Sequence, residues 1–275
     1  MQGELFGDRY QLQDPIGRGG ISTVYRALDL RMGRVVAIKV LREFYGTNQK
    51  FAARFQRGAE TQSSLQHPNI VQVYDYGQID RNHYIVMELV NGTDLRRYLR
   101  PRGILDVDRS VMIAHDVALG LGAAHHRHVV HRNVNQQNVL VGHDGSTKLT
   151  GFTMVSVYKD IDAERLTGPG VSLGFIQYYS PEQAEDEIVS PAADVYALGN
   201  MMYEILTGRP LFDGDSPIAV ALLHVHEQPV PPSKLNPTIP PALEEIILRC
   251  LEKVPEMRFR DGSQLARALE TLFVN

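Results

Sequence analysis

Residues 129–140 form a polar loop with apolar ends, and the segments on either side of it restrict the folds open to the chain. The stretch reads Val-Val-His-Arg-Asn-Val-Asn-Gln-Gln-Asn-Val-Leu. A long apolar segment that begins at an acidic cap, 106–127, leads into it and predicts a helix. Two short β-type runs, 139–141 and 147–149, follow it around the turn signal Asp144-Gly145. The loop is therefore expected between a long helix and a hairpin.

The first ninety residues predict a small sheet with one main helix. Residues 10–30 read as strand, glycine-rich turn and strand, and 35–40, 71–76 and 84–90 read as further strands. The polar stretch 47–66 predicts an amphipathic helix, in which Phe51, Phe55, Ala59 and Gln62 recur at helical spacing and share one face. Residues 90–94 break the strand pattern and predict a hinge.

Beyond this hinge the chain is mostly helical in pattern. Residues 151–183 are rich in Gly, Ser and Thr and have no period, which is typical of a long functional loop. The proline-rich segment 229–241 predicts an extended connector. Helices are expected at 95–100, 194–207, 218–226, 243–251 and 263–273, and the second of these is apolar enough to be the buried centre.

Composition excludes several classes of function. A length of 275 residues favours one large domain or two closely packed lobes. A net charge of -4 gives no electrostatic footprint for nucleic acid, and no apolar run is long enough for a membrane span. The single cysteine, Cys250, rules out an internal disulfide and favours a reducing compartment. We expect a cytoplasmic protein, or the cytoplasmic domain of a longer membrane-anchored one.

Four spaced motifs run through the chain. They are the His67-Pro68-Asn69-Ile70-Val71 run, the His131-Arg132 loop with Asn138, the Tyr179-Ser180-Pro181-Glu182-Gln183 run and the Asp194-Val195-Tyr196-Ala197-Leu198-Gly199 run. Together they resemble the protein kinases, specifically the bacterial Ser/Thr kinases of eukaryotic type, over roughly residues 8–273. The resemblance implies an α+β, bilobal kinase fold, with a β-rich N-lobe at 1–90 and a mainly helical C-lobe at 91–275. It also implies that Arg258 pairs with Glu182.

The same resemblance shows where the chemistry of a kinase is missing. Asn133 stands at the position of the catalytic Asp, and an amide has no useful basicity. Gly151, in Lys148-Leu149-Thr150-Gly151-Phe152, replaces the acid of the metal-binding Asp-Phe-Gly triplet. Asn138 alone remains as a metal ligand, so no dedicated metal site is expected. Asn135 replaces the loop lysine, and Phe175 replaces the threonine that usually faces it.

Lys39 matches the strand lysine that contacts the nucleotide phosphates, but its partner is lost. Counting back nine residues from His67, the helix position of the partner Glu is occupied by Gly58. Glu60 lies two positions on, roughly 200° around the helix, and cannot replace it. Lys39 without this partner could also be only a solvated lysine of the strand.

The resemblance also implies which residues would line an adenine pocket. Gly17 and Gly19 match the phosphate-covering turn, while Ser22 replaces its third glycine. Retained and lost ATP binding both stay open, and binding without magnesium is the favoured form. The apolar walls would be Ile16, Val24, Ala37 and Leu140, with Met87 at the back and the backbone of Glu88 and Val90 as the adenine contact.

These features predict a pseudokinase that binds a protein partner, such as an active kinase or a signalling protein, without nucleic acid or membrane in this segment. Two alternatives stay open: a Ser/Thr kinase of low activity, and a scaffold with a closed pocket. Thr167 and Ser172 are candidate phosphate acceptors that Arg132 would contact. The other role for Arg132 is to brace the loop against the helix of Asp194.

Overall fold

A computed structural model of the chain describes residues 5–152 and 176–273. These residues divide into two compact units. The first contains residues 5–66 and 71–91 with Phe152, and the second contains 67–70, 92–151 and 176–273. Over the described ranges, no helix is both long enough and apolar enough to cross a lipid bilayer.

The first unit is built on a six-stranded antiparallel sheet. The strands are β1 (Leu5–Phe6), β2 (Tyr10–Arg18), β3 (Ser22–Asp29), β4 (Arg34–Leu41), β5 (Val73–Ile79) and β6 (Asn82–Glu88). Their order across the sheet is β1-β2-β3-β4-β6-β5. Alternation places apolar side chains on one face, and these form a buried cluster of Phe6, Tyr10, Leu12, Ala27, Val36, Ile38, Val40 and Val86.

Two helices, α1 (Glu43–Gly46) and α2 (Gln49–Ser63), lie between β4 and β5. The predicted amphipathic face of α2 is confirmed, since Phe51, Phe55, Ala59 and Gln62 are all buried. Gln62 Nε2 donates to the carbonyl of Val71 over 2.9 Å, which holds the end of the helix on the chain before β5.

The second unit is mainly helical. Its helices are α3 (Leu95–Leu99), α4 (Val107–His125), α5 (Pro181–Ala184), α6 (Pro191–Thr207), α7 (Pro217–His226), α8 (Pro241–Cys250) and α9 (Gly262–Glu270). A second antiparallel sheet, in the order β7-β8-β9, joins β7 (Gly92–Asp94), β8 (Val139–Gly142) and β9 (Thr147–Leu149).

The core of this unit surrounds α6, as its apolar sequence predicts, with nearly every side chain of the helix buried. Helices α4 and α9 approach closely through glycine. A Cβ on Gly262 would lie 2.5 Å from the carbonyl oxygen of Ala118, and a Cβ on Gly122 would lie 2.3 Å from Ser263 Oγ. The two backbones can pack at this distance only because neither position carries a side chain.

Some predicted segments differ from the structure. Residues 92–94, predicted as part of a hinge, form β7, because Gly92 pairs with Gly142 in β8. The connector 229–241 is not wholly extended, since Pro232–Lys234 forms a 3-10 helix. Helices predicted at 47–66 and 263–273 end earlier, at Ser63 and Glu270. With only three residues, β7 is too short to show the two-residue period of a strand in the sequence, so it is defined by its pairing with β8.

Candidate active site

The polar loop is held in place by one buried carboxylate. Asp194, in the first turn of α6, is fully buried. Its two oxygens accept the backbone N–H groups of His131 and Arg132, each over 2.6 Å, and Oδ2 also accepts from His125 Nε2 over 2.9 Å. Arg132 takes a left-handed conformation with φ +60. Because this conformation costs free energy outside glycine, the three bonds to Asp194 must stabilise it.

Two histidines support the loop as neutral rings. His125 Nδ1 accepts from the N–H of Gly262 over 3.1 Å, so its Nε2 carries the proton that bonds to the buried carboxylate. His131 Nδ1 accepts from the N–H of Asn133 over 3.2 Å, and its Nε2 donates to the carbonyl of Thr150 over 3.0 Å. Burial lowers the pKa of His131, which favours the neutral ring. Both nitrogens of each ring are therefore used in structural bonds.

The centre of the loop is a cluster of three amides. Asn133 Oδ1 accepts from Asn135 Nδ2 over 2.8 Å, and the Asn133 carbonyl accepts from Asn135 Nδ2 and Asn138 Nδ2 over 3.0 and 2.8 Å. Asn135 Oδ1 accepts the N–H groups of Gln137 and Asn138. The amide oxygen of Asn133 is thus already bonded, and it has no basicity with which to take a proton from a hydroxyl.

Gly151 lies against Asn138 and brings no carboxylate to the loop. Its φ is +98, and a Cβ built there would be 2.6 Å from Asn138 Oδ1. Magnesium prefers several hard oxygen ligands, usually including a carboxylate. Within the described residues no group of three or more His, Cys, Asp or Glu side chains could hold a metal ion. Among the described residues, the single amide oxygen of Asn138 does not fit a magnesium ion held by the protein.

A buried ion pair stabilises the chain that follows residue 176, where the described residues resume. Arg258 Nη1 and Nη2 each donate to an oxygen of Glu182 over 2.9 Å, and both side chains are almost fully buried. The guanidinium also donates to the carbonyls of Ala192, Glu252 and Lys253. The predicted pairing of Arg258 with Glu182 is confirmed. The predicted sites Thr167, Ser172 and Phe175 lie outside the described residues.

In the first unit, Lys39 lies on β4 without a carboxylate. It pairs in the sheet with Val24 and Ile85, and it makes no ion pair with any residue that the structure describes. Burial lowers its pKa to about 8. Gly58 lies on the buried face of α2, while Glu60 is exposed, so the helix presents no acid on its inner side at these two positions.

The residues expected around an adenine lie on neighbouring strands of the same sheet. Gly17 pairs with Val24, and the N–H of Gly19 donates to the carbonyl of Ser22 over 2.9 Å, which closes the turn. Ala37 pairs with Met87 across β4 and β6. Ile16, on β2, is 41% exposed. The strands that carry these residues are consecutive in the sheet, in the order β2-β3-β4-β6.

The segment after β6 offers a backbone edge. The N–H of Glu88 donates to the carbonyl of Gln72 over 2.8 Å. Neither polar group of the Val90 backbone is hydrogen-bonded to another described residue. A peptide unit of this kind can donate to and accept from a planar ligand. Leu140, expected as a further wall, lies on β8 of the second unit.

Comparison with known proteins identifies the family. The family model described as protein kinase domain matches residues 10–271. The chain belongs to the protein kinase domain family. Its sequence is 36% identical over 271 residues to serine/threonine-protein kinase PrkC of Bacillus subtilis, covering 98% of this chain and 41% of that protein. It is 39% identical over 262 residues to serine/threonine-protein kinase PknB of Mycolicibacterium smegmatis, covering 94% and 42%. The chain thus spans less than half of either relative.

Solved kinase domains confirm the predicted fold. The kinase domain of PknI from Mycobacterium tuberculosis matches with a TM-score of 0.78 and 27% identity, covering 98% of both chains. The predicted α+β, bilobal protein-kinase fold is therefore correct. The names of the relatives are those of Ser/Thr protein kinases, which supports the kinase alternative of the sequence analysis more than its main prediction of a pseudokinase.

Sequence reasoning missed some contacts that build the kinase loop. Gln183 Nε2 donates to the carbonyl of Arg132 over 2.9 Å, so α5 holds the loop from a second side. The hydroxyl of Tyr178 donates to Glu204 Oε2. Both contacts join residues far apart in sequence and no local pattern marks them. Only the motif that contains Gln183 could have drawn attention to it.

Proposed function

We propose that this kinase domain is a pseudokinase, which acts through binding to a protein partner and does not transfer phosphate efficiently. One observation carries the proposal. The loop is completely anchored through Asp194, yet its reactive positions hold an amide at Asn133 and no side chain at Gly151. The folding contacts are retained, and the groups that only the chemistry needs are absent.

The size of the chemical loss supports this proposal. A positioned general base typically contributes about 10²–10⁴ in rate. Phosphoryl transfer also depends on a metal held by carboxylates and on a lysine held by a helix glutamate. Asn133, Gly151 and Gly58 remove all three groups, and Asn135 removes the loop lysine. These losses act on one transition state, so a single substitution would not reverse them.

We further propose that ATP binds without magnesium and serves as a switch for the interaction. The residues of the first unit that would hold it are Ile16, Gly17, Gly19, Val24, Ala37, Lys39, Met87, Glu88 and Val90. When bound, the triphosphate would supply the negative charge that Lys39 lacks among its described neighbours. A cytoplasmic location, where ATP is abundant, stays a prediction.

The second candidate function is a Ser/Thr protein kinase that transfers the γ-phosphate to protein hydroxyls. The names of the relatives favour it. In that case the nucleotide and the substrate would have to supply the missing base and metal ligands. A third candidate, a scaffold that binds no nucleotide, predicts that ATP changes nothing measurable.

The deciding experiment is a phosphotransfer assay. Purified protein is incubated with γ-labelled ATP, magnesium and a generic protein substrate, beside the same preparation of Lys39→Ala. The proposal predicts that incorporation by the wild type equals that by Lys39→Ala. PknB of Mycolicibacterium smegmatis serves as a positive control for the substrate and the label.

The result that contradicts the proposal is a signal clearly above that of Lys39→Ala. A signal that persists in Lys39→Ala indicates a contaminating kinase, and the preparation is then repeated with a second affinity step. Mass spectrometry of the labelled chain tests Thr167 and Ser172 as acceptors in the same experiment.

A further inference from the structure

Four arginines stand close together on α3 and in the turn that follows it, although the chain as a whole carries a net charge of -4. We call Arg96, Arg97, Arg100 and Arg102 the arginine face. All four side chains are exposed. Four positive charges within seven positions produce a local positive potential that the net charge of the chain does not reveal.

Two members of the arginine face are held by neighbours. Arg97 Nε lies 3.3 Å from Asp94 Oδ2. Arg102 Nη1 donates to the carbonyl of Tyr98 over 2.7 Å, and its guanidinium lies 3.9 Å from the centroid of the Tyr98 ring. Both side chains therefore have preferred positions, and each still has N–H groups directed to solvent.

The other two members have no such partner. Neither guanidinium of Arg96 and Arg100 forms a hydrogen bond or ion pair with any residue in 5–152 or 176–273. The N–H of Arg100 donates to the carbonyl of Arg96 over 3.2 Å, so the two residues lie one helical turn apart. Residues four apart share one face of a helix, with Cβ atoms about 5–6 Å apart. Their guanidinium groups can converge on one anion.

The arginine face flanks the loop of the candidate active site. The N–H of Arg96 donates to the carbonyl of Gln136 over 3.3 Å. Burial raises the pKa of Tyr178 well above its usual value, Glu204 adds to the rise, and the positive charge of Arg96 opposes it. Arg96 is therefore near the bond between Tyr178 and Glu204. A segment bound on this face would lie beside the loop.

We propose that the arginine face binds a phosphorylated serine or threonine in a peptide segment of the protein partner. A phosphate monoester carries about −1.5 to −2 charge and three acceptor oxygens, and guanidinium groups bind such oxygens in pairs. Arg96 and Arg100 provide two guanidinium groups that have no partner among the described residues, and Arg97 and Arg102 add charge at the edges. This inference rests on the proposed function, because it names the chemistry of the partner.

A peptide fits this face better than an anionic membrane or a nucleic acid. Asp94 borders the arginine face on one side, and Asp106 and Asp108 follow it in the chain. A flat anionic surface would cover these carboxylates together with the arginines and would be repelled by them. A single phosphate on a flexible segment can contact Arg96 and Arg100 alone.

Fluorescence anisotropy with labelled peptides tests the proposal on the whole chain, without nucleotide. The probes are a neutral peptide with one phosphothreonine, the same peptide with threonine, and the same peptide with two glutamates in place of the phosphothreonine. Wild type is compared with R96A/R100A and with R57A/R267A. The second pair removes the same charge from two exposed arginines on α2 and α9.

The expected result is binding of the phosphopeptide about tenfold or more tightly than of the threonine peptide. R96A/R100A should lose that difference and R57A/R267A should keep it. R96K/R100K keeps the charge without the paired donors and should lose part of it. This third variant also serves if R96A/R100A does not fold, which circular dichroism would reveal.

Three outcomes would overturn the proposal. Equal binding of the phosphopeptide and the diglutamate peptide would mean that the arginine face recognises negative charge in general and not a phosphate group. Equal losses in both double variants would mean non-specific attraction. Binding to vesicles of phosphatidylserine without binding to the phosphopeptide would mean a membrane surface. None of these outcomes bears on phosphotransfer, so a failed pseudokinase proposal would be seen only in the kinase assay.

Discussion

Asn133 has nearly the shape of an aspartate but carries an amide, and the difference lies in proton affinity. Its side-chain oxygen already accepts from Asn135. A carboxylate at this position could accept the same bond and still take a proton. The geometry of the loop is therefore compatible with an acid that the sequence does not supply.

Asn133→Asp is expected to leave phosphotransfer at background. The change restores a base, but Gly151 still provides no metal ligand and Gly58 still provides no partner for Lys39. The measurement is incorporation of labelled phosphate, with thermal unfolding as a control for folding. Asn133→Asp, Gly151→Asp and Gly58→Glu are also combined in one variant. Robust turnover from Asn133→Asp alone would refute the account of distributed loss.

In that combined variant, Gly151→Asp is expected to strain the backbone at position 151. Its φ of +98 lies in a region that residues with a side chain rarely adopt, and a Cβ there would be 2.6 Å from Asn138 Oδ1. Backbone strain of this kind costs on the order of 1–3 kcal/mol. The Asn138 side chain must move before an acid at position 151 can point towards a metal.

Lys39→Met is expected to stabilise the nucleotide-free chain at neutral pH. Burial lowers the pKa of Lys39 to about 8 from its usual 10.5, so the unfolded chain binds more protons between these two values. The contribution of Lys39 to the free energy of unfolding therefore rises as the pH increases from 8 to 10.5. Below pH 8 this contribution stays unfavourable. Removing the Lys39 ammonium group should raise the free energy of unfolding at pH 7 by about 3 kcal/mol.

Urea unfolding of Lys39→Met at pH 7, 8, 9 and 10 tests this expectation. The gain should shrink as the pH rises above 8. Lys234→Met, which changes an exposed lysine, serves as the matched control and should have little effect at any of these pH values. A gain that does not change with pH would contradict the assignment of a desolvated Lys39 ammonium group with no carboxylate partner among the described residues.

Among the elements, α5 depends on a contact with the chain after α8. Glu182 in α5 meets Arg258, whose guanidinium also binds three backbone carbonyls. A buried charge that loses its partner cannot be solvated by water. The pair therefore holds α5, and through Gln183 it also supports the loop.

Glu182→Ala is expected to lower the free energy of unfolding by about 3–5 kcal/mol, because it leaves the Arg258 guanidinium buried with only carbonyl partners. Urea denaturation measures the loss. Arg81→Ala is the control, since its pair with Glu43 is 3.9 Å long with both side chains mostly exposed. It should cost less than about 1 kcal/mol. Equal effects of the two variants would show that Arg258 does not need its carboxylate.

For the whole molecule, ATP is expected to raise the melting temperature by a few degrees, with magnesium and equally with excess chelator. At a concentration ten times Kd, a ligand of the folded state adds about 1.4 kcal/mol to the free energy of unfolding. The chelator arm is decisive because Gly151 provides no carboxylate for a metal. Differential scanning fluorimetry, with AMP and GTP as comparison ligands, measures the shift.

The other outcomes of this titration select the remaining candidates. No shift in either buffer would support the scaffold that binds no nucleotide. A shift only with magnesium would mean that other groups hold the metal, and it would favour the Ser/Thr kinase function that the names of the relatives suggest.

The sequence by itself determined the family, the longer helices and strands, and the residue types at the positions of the loop. His131, Arg132 and Asn138 stand at spacings that depend only on position along the chain, and Asn133 and Gly151 are defined by residue type. Long helices such as α6 were predictable because burial imposes a period over many residues. For the same reason the buried face of α2 was correctly predicted.

Only the tertiary structure decided which groups meet. Asp194 holds the backbone of His131 and Arg132, and Gln183 holds the carbonyl of Arg132 from another helix. β7 exists only because β8 pairs with it. These contacts join positions far apart in sequence. Their partners are selected by packing of the whole unit, and local propensity contains no information about such a choice.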